Sequence, residues 1–199
     1  MNITAAIIQQ LRGKTGLGIM RCKEALKATQ GDIDSAIEYL RKKGLADASK
    51  KANRATSEGR VGHYIHHSGK LGVLVEVQCE TDFVAKTEEF QEFIRDIAMH
   101  IASMNPSWVS SDDIPEDVIN REKDIYKGQV MEMGKKPDNI IEKIVEGKMG
   151  KFFSQSCLLN QPYVKDDSMT VQEYLKGKIA KLGENIVITR FYRLAMGEE

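Results

Sequence analysis

Apolar positions recur with a helical spacing at the start of the chain. Ile3, Ile7, Ile8 and Leu11 set one stripe. Ile19, Cys22, Ala25 and Leu26 set a second, and Ile33, Ala36, Ile37 and Leu40 a third. Helix-stop chemistry lies between them. Thr15-Gly16-Leu17-Gly18 separates the first two stripes, Gly31-Asp32 ends the second and caps the third, and Gly44 sits where a C-terminal glycine belongs. Residues 2–44 are therefore predicted as three short helices. Residues 45–60 follow as a linker helix with a modest basic face of Lys50, Lys51, Arg54 and Arg60.

The spacing then changes from helical to alternating. Val61–His66 turns at His67-Ser68-Gly69-Lys70 and returns as Leu71–Cys79, which predicts a hairpin. Leu71, Val73, Val75, Val77 and Cys79 share one face and Glu76, Gln78 and Glu80 the other, so the sheet is expected to be covered on one side only. Helical spacing resumes with Phe90, Phe93, Ile94, Ile97, Ala98, Ile101 and Ala102, behind Thr87 as cap and Glu88 and Glu89 in the first turn. Asn105-Pro106 ends that helix, and Trp108-Val109 reads as a short strand or packed loop. Further helices are predicted from Asp113-Ile114-Pro115 to about Met133, from Pro137 through Phe153, and from Thr170 to Leu182. A last strand spans Asn185–Leu194. Helices first, then a hairpin, helices and a final strand give an α+β fold, with a small antiparallel sheet covered by helices. The expected domains are 1–55 and 56–199.

Glu80-Thr81-Asp82-Phe83-Val84-Ala85-Lys86 joins the returning strand to the long helix. Spacing alone makes this a capped helical turn, with Thr81 or Asp82 as cap and Phe83 tucked into the core.

Composition narrows the function classes. The 199 residues are 41% hydrophobic and 29% charged, and 29 basic residues balance 29 acidic ones. A protein whose main work is gripping phosphates would carry a positive excess. Cys22, Cys79 and Cys157 are scattered and odd in number, which argues against a disulfide framework and fits a reducing compartment. There is no signal-like N-terminus and no apolar run near ~18 residues, so a cytoplasmic protein without membrane attachment is expected.

Gly13-Lys14-Thr15 ends like a phosphate loop, but Ile8 stands where that loop needs its first glycine. His66 and His67 are adjacent, so on a strand they would point to opposite faces. His100 lies on a separate helix, and no ligand set has metal-site spacing. With no catalytic constellation in view, the expectation is a binding protein that is not an enzyme and holds no cofactor or metal.

Two stretches carry a resemblance. Leu11-Arg12 with Thr15-Gly16-Leu17-Gly18-Ile19-Met20-Arg21-Cys22-Lys23-Glu24-Ala25-Leu26, and Val75 through Ala85, resemble the two signatures of the bacterial elongation factor Ts family. Ile97–Ala102, Gln161–Val164 and Gly183–Ile186 match it in the same order, so the resemblance spans the chain and is to the short form. Leu17 and Arg21 depart from the family pattern, which has a small residue and an acid there.

The resemblance implies a guanine-nucleotide exchange factor for elongation factor Tu. It implies an N-terminal ubiquitin-associated-like domain that docks through Arg12, Met20 and Lys23, and the alternative reading is a ubiquitin-associated-like adaptor fused to a protein- or RNA-binding α+β domain. It also implies that Thr81, Asp82, Phe83 and Val84 disturb the partner's Mg²⁺ site, Phe83 as a wedge with Asp82 beside it. His66, His67, Leu182 and Gly183 are weaker candidates for a second surface. A homodimer is expected, with the hairpin or the final strand as its interface, and no nucleic-acid binding.

Overall fold

The computed structural model describes residues 3–132, 134 and 137–198. Along the chain run α1 (Ala5–Thr15), α2 (Ile19–Ala28), α3 (Ile33–Lys51), β1 (Glu58–Ile65), β2 (Leu71–Cys79), the short α4 (Asp82–Ala85) and α5 (Glu88–Met104). α6 (Glu116–Glu132), α7 (Asp138–Ser156), β3 (Pro162–Tyr163), β4 (Asp166–Thr170), α8 (Val171–Leu182) and β5 (Ile186–Ala195) follow. One sheet has the order β1-β2-β5, and β3 pairs antiparallel with β4. Bonds from 196 to 70, 189 to 76 and 185 to 80 run in opposite senses, so β5 is antiparallel to β2. The expected α+β class, with helices ahead of a small antiparallel sheet, is what the chain adopts. The chain divides into two compact units. One is Met1–Arg60, Gln78–Phe93 and Glu173–Val187, and the other is Val61–Val77, Ile94–Gln172 and Ile188–Glu199.

In the first unit, α1, α2 and α3 bury the predicted stripes: Leu11, Cys22, Ala25, Leu26, Ala36 and Leu40 form the centre, with Ile3, Ile7, Ile8, Leu17, Ile33 and Ile37 against it. The stops are where the sequence puts them. Gly16, at φ 67°, closes α1 by donating its N–H to the Arg12 carbonyl, and Asp32 accepts the Ser35 N–H to cap α3. Two expectations fail here. Ile19 is exposed rather than buried. Gly44 ends nothing, because α3 runs through it to Lys51. An added Cβ at Gly44 would sit 3.1 Å from the Ala180 Cβ, so this glycine admits α8 at close range while the alanines after it sustain the helix.

The second unit shows the predicted one-sided sheet. Val73, Val75 and Val77 are buried and Leu74 is exposed. A Cβ at Gly62 would fall 1.8 Å from Ile94 Cγ2, so α5 lies directly on β1, and only glycine fits there. The open face presents Val61, Ile65, Leu74, Tyr192 and Leu194. The alternation of β5 slips at Thr189 and Arg190, both exposed, after which Tyr192 and Leu194 face outward.

Other boundaries move modestly. A 3₁₀ turn at Ser111–Asp113 with a capping box precedes α6, which starts at Glu116. The predicted end of that helix at Met133 lies outside the described residues. Trp108 forms a single parallel bridge to Cys157 rather than a strand. The β3–β4 pair was not expected from the sequence. Its strands are two and five residues long, β4 is polar, and the anchoring carboxylate comes from α5: Tyr163 donates its hydroxyl to Asp96 at 3.1 Å, and Lys165 pairs with the same carboxylate at 2.7 Å.

His66 and His67 also differ from expectation. They fall in the turn after β1, where backbone direction reverses, and their rings pack 4.1 Å apart instead of facing opposite ways. His100 is wholly buried. The Gln161 side-chain amide donates to the Met104 and Gln155 carbonyls, which leaves its oxygen to accept from His100 Nε2 at 2.9 Å. His100 Nδ1 then accepts the Val164 N–H at 3.1 Å, so the ring is neutral with its proton on Nε2.

Burial lowers the His100 imidazole below its ordinary value of 6.5, against a smaller raising pull from Gln161. The unfolded chain therefore binds the extra proton between that lowered value and 6.5. Stability should be complete above this window and fall as pH drops through it. Melting temperatures measured between about pH 7.5 and about pH 5.5 should decline for the native chain and decline less for His100→Gln.

Candidate functional site

The corner after β2 is built by exchanging backbone partners for side-chain ones. Past Cys79 the sheet ladder gives out, and two carboxylates take over the next backbone amides. Glu80 Oε1 accepts the Asn185 N–H at 2.6 Å, and Glu184 Oε2 accepts the Thr81 N–H at 3.0 Å. The two bonds cross between the end of β2 and the start of β5, so strand pairing ends without orphaned donors. Asn185 is buried and donates its amide to the Ala52 and Arg54 carbonyls at 3.2 and 2.8 Å, which ties the segment after α3 to the same place. Arg54, expected on a solvated basic face, reaches Glu80 at 3.5 Å.

From this anchored point α4 turns off. Thr81 caps it by accepting the Val84 N–H, as the spacing predicted. Ala85 is the residue this turn buries. Phe83 is 79% exposed, which overturns the spacing-based expectation of a core phenylalanine. A single helical turn presents one side to the core, and Ala85, beside Cys79 and Thr87, occupies it. Asp82 is half-exposed, and its hydrogen bond to Lys86, one turn on, holds its carboxyl below the usual range. Val84 is half-buried. Thr87 links the corner to α5 by donating to the Val84 carbonyl and accepting the Phe90 N–H. Burial pushes the Cys79 thiol up to about 11, so it stays protonated and donates to the Thr81 carbonyl at 3.2 Å.

The same unit carries a surface groove of about 490 Å³ lined by Arg12, Leu17, Ile19, Met20, Arg21 and Gly183, among others. Arg12 and Met20 thus meet in one groove, and Gly183 joins them. Met20 is 76% exposed and Lys23 is exposed nearby on α2, outside the groove lining. The exposure of Ile19 makes sense here, since it widens the apolar floor. The two departures from the family pattern are both accommodated internally. Leu17 packs on the three-helix core, and Arg21 donates to the Ala180 carbonyl at 3.0 Å and pairs with Asp47.

Gly183, at φ 84°, stops α8 after Leu182 by donating its N–H to the Ile179 carbonyl. One dipeptide, Gly183-Glu184, therefore belongs to both features: Gly183 to the groove and Glu184 to the corner. His66 is separate from them. It lines a cavity of about 560 Å³ in the second unit with Tyr64, Leu71, Met99 and Val164, and His67 does not line it.

Sequence reasoning missed Glu184, Asn185 and Arg54 as parts of the corner. The signals available were the acid-bearing pair Glu184-Asn185 at the start of the final strand and the family match at Gly183–Ile186, and spacing cannot connect either to a residue 103 positions earlier. Among the described residues, no group of three or more His, Cys, Asp and Glu is placed to hold a metal ion, and no helix is long and apolar enough to cross a membrane.

Comparison with known proteins gives the family. The model of the family described as Elongation factor TS matches residues 47–198. Elongation factor Ts of Geobacter metallireducens is 59% identical over 198 residues, covering 100% of this chain and 91% of that protein. Elongation factor Ts of Desulfosudis oleivorans is 54% identical over 196 residues, covering 98% of each. That of Thermosipho melanesiensis is 51% identical over 196 residues, covering 98% of this chain and 100% of that protein.

Asn185→Ala removes both donors to the Ala52 and Arg54 carbonyls and leaves those oxygens unpaired. It should cost about 1–3 kcal/mol of stability, read as a lower urea midpoint with an unchanged slope.

Proposed function

We infer the function from one premise: the chain belongs to the elongation factor Ts family. It is accordingly a translation elongation factor. We propose that it acts in the cytoplasm as a nucleotide-exchange factor rather than an enzyme. In this reading it binds elongation factor Tu carrying GDP, disturbs the Mg²⁺ site of that GTPase, and so frees the nucleotide for replacement by GTP.

The observation that carries this reading is the exposure of Phe83 on an anchored corner. An aromatic ring 79% open to water is costly to leave bare and gains on entering an apolar crevice. Asp82 beside it carries a charge that can compete for a cation's surroundings. Thr81 and Val84 hold the turn that presents them. Arg12, Met20 and Lys23, on the domain spanning 1–55, supply the docking surface, and Leu182 and Gly183 extend it. The factor itself holds neither nucleotide nor metal.

Linkage gives the mechanism its form. A factor that binds the empty GTPase better than the loaded one weakens nucleotide by the same factor by which nucleotide weakens it. Accelerating release ~10³-fold takes ~4 kcal/mol of barrier. Burying one phenylalanine yields only ~1.5–3 kcal/mol. The corner therefore triggers release, while the groove at Arg12 and Met20 supplies binding energy that the corner lacks.

A homodimer completes the proposal. The sheet face bearing Val61, Ile65, Leu74, Tyr192 and Leu194 exposes these apolar side chains beside the Glu76–Arg190 pair, along the hairpin and the final strand. A second copy laid on it would bury these side chains, and stable interfaces cover ~1,200–2,000 Å² in total.

Two measurements test these readings. Phe83→Ala and Asp82→Ala should each slow the release of labelled GDP from elongation factor Tu by about ten-fold or more, with melting unchanged because both residues are solvent-facing. Normal rates in both variants would remove the wedge from the mechanism. Light scattering of the native chain should give twice 22.4 kDa, and Leu194→Asp with Tyr192→Asp should return it to that single mass.

A further inference from the structure

Thr81 is where strand becomes turn, and every polar group it has is engaged. Its N–H and its hydroxyl both donate to Glu184, at 3.0 Å to Oε2 and 2.6 Å to Oε1. Its Oγ1 accepts the Val84 N–H at 3.4 Å. Its carbonyl accepts from the Cys79 thiol at 3.2 Å and from the Ala85 N–H at 3.2 Å. Asp82 and Phe83 have no such holds. The Asp82 side chain meets Lys86 and backbone amides of its own turn, none of them outside α4 and its cap, and Phe83 projects into solvent. Neither residue fixes its own direction, so the direction is set at Thr81.

Glu184 is the part of this arrangement that comes from far along the chain. Its two oxygens grip one residue in the manner of a fork, and charge-assisted bonds of this kind are stronger than neutral ones and more directional as a pair. It follows Gly183 directly, so the end of α8 fixes where the carboxylate stands. The partner bond from Glu80 to the Asn185 N–H holds the other side of the same crossing. Breaking the Glu184 fork would leave the sheet and α5 intact and free only the turn between them.

We infer that Glu184 is a positioning residue for nucleotide exchange: by holding the Thr81 N–H and hydroxyl it fixes the α4 turn, so that Phe83 and Asp82 reach the GTPase already aimed. This rests on the wedge reading above and adds a residue that does not itself touch the partner. A preorganised corner loses less freedom when it docks, so the gain appears in the exchange step. Docking through the Arg12 and Met20 groove is untouched.

The test is labelled-GDP release from elongation factor Tu as a function of factor concentration, with full-length variants. Glu184→Gln should lower the maximal rate about ten-fold and leave the half-saturating concentration within about two-fold. Amide exchange at Asp82–Ala85 should quicken in the same variant while the α5 amides keep their protection. Thr81→Val keeps the N–H bond to Glu184 but removes the hydroxyl bond, together with the cap on Val84, and should match that loss. Thr81→Ser keeps the hydroxyl and should restore the native rate. The Glu184→Gln, Thr81→Val double variant should lose no more than either single one.

A native maximal rate in Glu184→Gln, with Phe83→Ala still slow, overturns the positioning role and leaves the wedge standing. Native rates in Phe83→Ala as well overturn both. A loss that tracks only the folded fraction, or that appears wholly in half-saturation, also overturns the positioning role. If Glu184→Gln does not fold, the Thr81→Val and Thr81→Ser pair decides the matter on the same readouts.

Discussion

Two carboxylates set on backbone amides, Glu80 on Asn185 and Glu184 on Thr81, are the constraint on which the corner depends. An antiparallel ladder cannot simply stop, because each unpaired N–H left in a partly buried place costs about as much as a lost hydrogen bond. Here the ladder stops by substitution. The carboxylates satisfy the amides without continuing the strands, and the chain is free to turn into α4. The exposure of Phe83, the cap at Thr81 and the burial of Ala85 follow from that turn.

The second unit is organised by a neutral histidine instead of charges. Gln161 gives both amide hydrogens to main-chain carbonyls, which obliges its oxygen to accept from His100, which in turn obliges His100 to accept from Val164. Each bond fixes the direction of the next. A buried polar chain of this kind is stable only when complete, and it specifies one arrangement of the β3 segment where apolar packing would allow several. Asp96 adds a second hold through Tyr163 and Lys165.

Legibility in the sequence followed the reach of the forces involved. The three helical stripes, the alternation of β2 and the long face of α5 are local rhythms, and each buried the centre of the set that the rhythm named, with Ile19 left exposed. Gly16 and Asp32 acted locally and were read correctly. Gly44 was misread because its reason lies on α8, where Ala180 needs the space. β3 and β4 were missed because their stability comes from Asp96 and Gln161, outside the strands. The site was half legible. The motif pointed to Thr81, Asp82, Phe83 and Val84, and to Arg12, Met20 and Lys23, and only the structure put the first two of these in one groove. Spacing alone put Phe83 in the core. Nothing nearby in sequence indicated Glu184 or Asn185.

By itself, then, the sequence determined the helices, the hairpin, the α+β class and, through its two signature stretches, the family. These depend on side-chain periodicity and on caps within a few residues, which act before any long-range contact forms. The tertiary structure alone decided which way Phe83 points, which carboxylate grips Thr81, and that Gly183 and Glu184 serve groove and corner together. Those outcomes are set by bonds between residues about a hundred positions apart, such as the 103 separating Thr81 from Glu184, and no local pattern encodes the partner.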